Sequence, residues 1–122
     1  MATRPANVTL TVYQGQTFDD QILFQDQSLD PLDFTGMTAR MQVRWAVPDS
    51  TVIATYSTAD GTIVELSDAG TIVFNVSAVA TAALPTDNVQ QCWVYDLEVV
   101  DGTTVTRLMQ GSFVVVPEVT RS

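Results

Sequence analysis

The side chains able to do chemistry in this sequence are almost all carboxylates and arginines: fourteen Asp or Glu, five Arg, a single cysteine and no histidine. Carboxylate pairs occur at Asp19-Asp20 and at Asp96 with Glu98, the residue type a glycoside hydrolase uses as acid and base. Such a site also needs a cleft lined with aromatics, and a chain of short strands offers little room for one. Asp26, Ser28 and Asp30 alternate as the oxygen ligands of a calcium loop do, but neither the glycine at the sixth position nor the acid at the twelfth follows. Without histidine, imidazole-based triads and zinc sites are excluded. No glycine-rich phosphate loop is present. Arg40 and Arg44 stand on one parity of a strand pattern. Their expected use is cross-strand pairing with carboxylates, and a carboxylate- or phosphate-binding pair is the sharper alternative. Cys92 has no partner for an internal disulfide and is expected to be a structural thiol acting as a small hydrophobe. The inventory therefore predicts no catalytic residue, no cofactor and no metal ligand, and a protein that is not an enzyme.

The formal charge of −9 separates partner classes. Phosphate neutralisation needs clustered cations, so neither nucleic acid nor an anionic membrane surface is an expected partner. Self-repulsion of an acidic domain keeps copies dispersed until a specific contact forms. No apolar run approaches the length of a membrane helix, and the opening MATRPANVTL lacks a signal-peptide core, so export is not expected. The sequons Asn7-Val8-Thr9 and Asn75-Val76-Ser77 then read as chance matches.

The elements that must carry these residues are strands. The longest stretch, Gln91 to Pro117, reads as two β-runs joined at Asp101-Gly102, a dipeptide suited to a type I′ hairpin turn. Trp93, Tyr95, Leu97 and Val99 share one face of the first run. In the second run Gly111 predicts a bulge or bend, and Ser112 to Val116 reads as an uncharged, β-branched segment open to strand addition by a neighbour, which salt would favour by screening the net charge. Upstream, alternation predicts strands over Asn7–Tyr13, Thr17–Gln25, Met37–Trp45, Thr51–Tyr56, Ile63–Leu66 and around Ile72–Val76. Trp45 and Trp93 both fall on apolar parities and are expected in the core. Turn signals recur about every ten residues, the spacing of a sandwich or barrel. Ser77 to Leu84 is the one expected helix, capped by Ser77, ended by Pro85 and too short to stand alone, hence a crossover closing one end. A single domain over residues 7–117 follows, with an N-terminal arm over 1–6 and a tail over 118–122.

Three stretches in this order, Tyr13-Gln14-Gly15-Gln16-Thr17-Phe18, Pro31-Leu32-Asp33-Phe34-Thr35-Gly36 leading to Ala39-Arg40-Met41-Gln42-Val43-Arg44, and Tyr95-Asp96-Leu97-Glu98 through Arg107-Leu108, Gly111-Ser112-Phe113 and Pro117-Glu118-Val119-Thr120-Arg121, resemble small virion proteins of tailed bacteriophages. The group in question is similar to the N-terminal domain of the upper baseplate protein of lactococcal phages. The resemblance implies an all-β fold, an immunoglobulin-like antiparallel β-sandwich with one short crossover helix. It implies an assembly or attachment module of the tail, baseplate or neck, located in the virion, whose partners are other virion proteins and copies of itself. Longer members continue into a fibre or receptor-binding region where this sequence stops at Ser122, which favours a small adaptor, collar or decoration subunit. The alternatives are a head decoration protein clamping capsid subunits and, from another class, a carbohydrate-binding module stacking sugars on Trp45 and Trp93.

Overall fold

The computed structural model describes residues 6–26 and 28–119. The expected arm lies outside the described residues except for Ala6, and so does the end of the tail beyond Val119. Two sheets pack face to face as a β-sandwich. The large one runs β1 (Ala6–Asn7), β9 (Thr104–Val116), β8 (Gln91–Asp101), β4 (Thr38–Arg44), β5 (Val52–Ser57), and β2 (Leu10–Tyr13) also pairs with β9. The small one runs β3 (Gln21–Leu23), β7 (Thr71–Phe74), β6 (Ile63–Leu66). The expected immunoglobulin-like sandwich is thus present, with one difference: β1 and β2 lie parallel to β9, so the large sheet is mixed.

The core is what strict alternation dictates. Met41 and Val43 of β4, Leu97 of β8, and Met109, Phe113 and Val115 of β9 are fully buried. They face Ile72 and Phe74 of the small sheet. Ring contacts fill each layer and join the two: Phe18 stacks on Phe74 at 5.1 Å, Trp93 lies parallel to Phe113 at 6.4 Å, and Phe18 meets Phe113 edge-on across the core at 6.5 Å. Such offset pairs add to the burial of large apolar surfaces.

Leu108 and Met109 are adjacent yet both buried. The ladder explains this, because Leu97 pairs with Met109 whereas Glu98 pairs with Arg107, leaving Leu108 as the extra residue of a bulge. The bulge expected at Gly111 therefore sits three residues earlier, and β9 runs through Gly111 without a break. The hairpin turn also shifts. Asp101 is still paired, with Thr104, and Gly102 (φ 59°) leads a two-residue loop whose second residue has no positive φ. That is the signature of a type II′ rather than a type I′ turn.

The expected edge at Ser112–Val116 is interior. The chain's own β2 covers it, from Leu10 opposite Phe113 to Tyr13 opposite Val116. The free edges of the large sheet belong to β5 on one side and to the short β1 and β2 on the other. Trp45 follows the last paired residue of β4 and is 43 % exposed, packed edge-on against Trp93 at 5.2 Å, so it is not the core residue its parity suggested. Cys92, expected inside the strand, is exposed, because its parity on β8 is the solvent parity.

Helix α1 (Ala78–Ala82) begins at the expected cap, with the Ser77 hydroxyl accepting from the Ala80 amide at 3.1 Å. One side chain fixes its far end. The Gln14 amide donates to the carbonyls of Ala82 and Leu84, both at 3.0 Å. Its oxygen accepts from the Thr86 hydroxyl at 3.2 Å and the Glu118 amide at 3.3 Å. Beside it, the Gly15 amide donates to the hydroxyl of fully buried Thr81 at 3.0 Å. Glu118, the first residue of the expected tail, is therefore tied to the body at its backbone.

Candidate functional site

The outward face of the large sheet is polar because β4, β8 and β9 each turn one parity to solvent. Ladder register places Arg40 opposite Glu98 and Gln42 opposite Asp96, and Asp96 opposite Gln110. Arg40 fulfils its expected pairing, donating from Nε to Glu98 at 3.0 Å. Arg107 reaches Asp96 at 3.6 Å and donates to Gln110 at 3.3 Å. Both ion pairs are solvent-exposed, a setting that yields at most about 1 kcal/mol each.

Arg44 differs. It donates to the Gln42 side chain at 3.0 Å and to the Asp49 carbonyl at 2.9 Å, and makes no ion pair among the described residues. Its register partner is Val94, so no carboxylate stands across the ladder. The guanidinium lines a concavity of about 510 Å³ on this face, together with Asn7, Asp96, Arg107 and Gln110. Val47, 82 % exposed, stands on its lip. Sequence reasoning singled out Arg40 and Arg44 but not Arg107 as their neighbour. The parity of Arg107 opposite Glu98 depends on the bulge at Leu108, which leaves no local mark.

Charge is distributed unevenly. All three described arginines lie on this face, against two carboxylates there, so its outward parity carries a formal +1. The other twelve of the fourteen carboxylates lie off this outward parity. Five of those acids gather at one end of the sandwich. Backbone bonds from Phe24 to Gly70, from Leu32 to Phe24 and from Phe34 to Ser67 lock the loops bearing Asp26, Asp30, Asp33 and Asp68 together. Asp101 joins them, since it and Asp33 rim a shared apolar groove of about 300 Å³ floored by Leu32, Phe34, Met37 and Leu108.

The remaining acidic candidates serve local structure. The Asp26 carboxylate accepts from the Ser28 and Asp30 amides at 2.8 and 3.1 Å, a turn-closing role. Partial burial, with the neighbouring Asp19 charge second, raises the pKa of Asp20. Asp96 and Glu98 are held by arginines. Trp93 is 1 % exposed and so is unavailable as a sugar platform, and its indole N–H has no hydrogen-bond partner among the described residues.

No family model and no curated protein matches the chain. Among solved structures it is similar to the N-terminal domain of phage TP901-1 ORF48, at 15% identity over 95% of this chain and 91% of that one, with a TM-score of 0.45.

Proposed function

We propose that this protein is a structural contact module of a tailed-bacteriophage virion, in the tail, baseplate or neck, and that it catalyses no reaction. The observation that carries the reading is the outer face of the large sheet, where every described arginine of a chain with net charge −9 stands and two of them, Arg44 and Arg107, line one concavity. A rigid sheet presenting a polar, complementary-charged face suits specific docking, because electrostatic complementarity fixes register and rejects wrong partners. The stretches that resemble phage virion proteins support it from a second direction. They build this face and the Gln14 and Gly15 turn that locks α1 to the body. Partners are other virion proteins and copies of the chain.

The test is position in a particle. Gold-labelled antibody against the folded domain, applied to purified virions, should decorate the tail, baseplate or neck. Labelling of the capsid shell would replace this reading with head decoration, and absence of the protein from particles would remove both.

A further inference from the structure

The charge map carries a statement about how copies meet. We propose that the protein self-associates head to tail, the arginine-bearing face of one copy receiving the acidic end of the next, with Val47 of the first entering the apolar groove of the second. This deepens the contact-module reading and rests on it for its biological setting. The contact itself is a property of the isolated protein.

Three observations converge. First, the two surfaces have opposite sign: Arg40, Arg44 and Arg107 outnumber Asp96 and Glu98 on the outward face of the large sheet, while Asp33, Asp68 and Asp101 at the acidic end have no described arginine among them. Second, Arg44 has hydrogen-bond partners but no ion pair among the described residues, so an incoming carboxylate meets a guanidinium not already neutralised. Third, each surface has the apolar counterpart of the other. Val47 projects from the lip of the arginine concavity at 82 % exposure, while the acidic end holds a groove of about 300 Å³ among Leu32, Phe34, Met37 and Leu108. The two surfaces differ and lie on different parts of the sandwich, so the contact is heterologous. Such contacts close into rings when the rotation per copy allows it and extend into filaments otherwise.

Ionic strength gives this contact a particular signature. At about 0.01 M salt the screening length is about 30 Å, comparable to a whole domain, so the net −9 of each copy opposes approach. Near 0.15 M it falls to about 8 Å and only charges at the contact act, which here attract. At about 1 M it is about 3 Å and the attraction itself is screened. Association should therefore peak near physiological salt, whereas strand-edge pairing limited only by net charge would rise steadily.

The experiment is a charge swap read by sedimentation velocity, with the melting temperature of each variant confirming that it folds. Arg44→Glu with Arg107→Glu makes the face acidic, and Asp68→Arg with Asp101→Arg makes the end basic. Asp68, Asp101 and Arg107 are exposed and Arg44 is half-buried, and among the described residues neither aspartate makes a hydrogen bond through its carboxylate that the swap would break. Each double variant alone should associate at least about tenfold more weakly than the unmodified protein. An equimolar mixture should associate again, since each then finds a complementary surface on the other. Val47→Asp, a change at an exposed position, should weaken association independently of the swap. A protein that stays monomeric at all concentrations near 0.15 M salt, variants that associate as the unmodified protein does, or a mixture that fails to recover would each overturn the proposal. Failure of the virion reading shows instead in the particle labelling, which this experiment does not involve.

Discussion

The phenol of Tyr95 donates a 2.6 Å hydrogen bond to the carbonyl of Val8, 87 residues earlier in the chain. The bond reaches from the central strand β8 past β9 to the segment between β1 and β2. Tyr95→Phe removes the donor, keeps the ring and leaves the Val8 carbonyl without it, which should cost about 1 kcal/mol in a urea titration. Amide exchange should quicken at Val8 and Leu10 before it quickens in β8. Equal acceleration in both places would show that the bond does not pin the first strands.

Tyr95 and Tyr56 also predict the alkaline limit of the fold. Burial raises the pKa of Tyr95, and burial followed by the Asp60 charge pushes Tyr56 up to about 12 from an ordinary 10.0. The unfolded chain ionises first, so stability is complete below pH 10 and declines as pH rises toward 12. Urea midpoints should fall across that interval, and replacing both tyrosines by phenylalanine should flatten the slope. An unchanged slope in the double variant would assign the alkaline loss to other groups.

Trp93→Ala should destabilise the protein by about 3–5 kcal/mol, the usual cost of emptying a buried aromatic site. The indole touches both Trp45 and Phe113. A loss under about 1 kcal/mol would mean that the site collapses around the void.

Gln14→Ala should cost about 1–3 kcal/mol, because it strips hydrogen bonds from two carbonyls, a hydroxyl and the Glu118 amide at once. Exchange should rise in α1 and in the segment around Glu118, with β4 and β8 unaffected. Gln14→Glu tests the same point differently. It keeps the acceptor but loses both donations to Ala82 and Leu84, and should restore little of the loss.

Gly111→Ala probes the join between first and last strands. A Cβ there would lie 2.5 Å from the Val8 carbonyl oxygen, a backbone atom with no rotamer to escape into, and the φ of 149° is one that other residues rarely adopt. Strain of this kind costs about 1–3 kcal/mol. The expected result is lost protection in β1 and β2 with β8 retained. Full stability would show that the first strands can shift outward freely.

Local pattern revealed the strands well: the inward faces of β4 and β8, the bounds of β6 and the Ser77 cap all follow from alternation and capping chemistry. What stayed hidden is long-range. Whether β2 lies parallel or antiparallel to a neighbour leaves no mark on Leu10, Val12 or their spacing, so Ser112–Val116 looked like an open edge. Trp45 kept the apolar parity of β4 but lies one residue beyond its last pairing, where parity no longer determines burial. The arginine face was visible in part through Arg40 and Arg44. Its completion by Arg107 depended on a bulge whose extra residue, Leu108, is as apolar as its neighbours.

The parallel pairing of Leu10 with Phe113 joins the first described strands to the last. A ribosome makes β2 long before β9, so β2 emerges first and must wait, unpaired, until its distant partner has been made. Closing a loop of that length before any contact rewards it is slow, and folds dominated by such pairings form in about milliseconds to seconds. Completion of the large sheet therefore waits until synthesis has passed β9. Until then the carboxylates made ahead of β9, already charged, oppose the approach of neighbouring nascent chains.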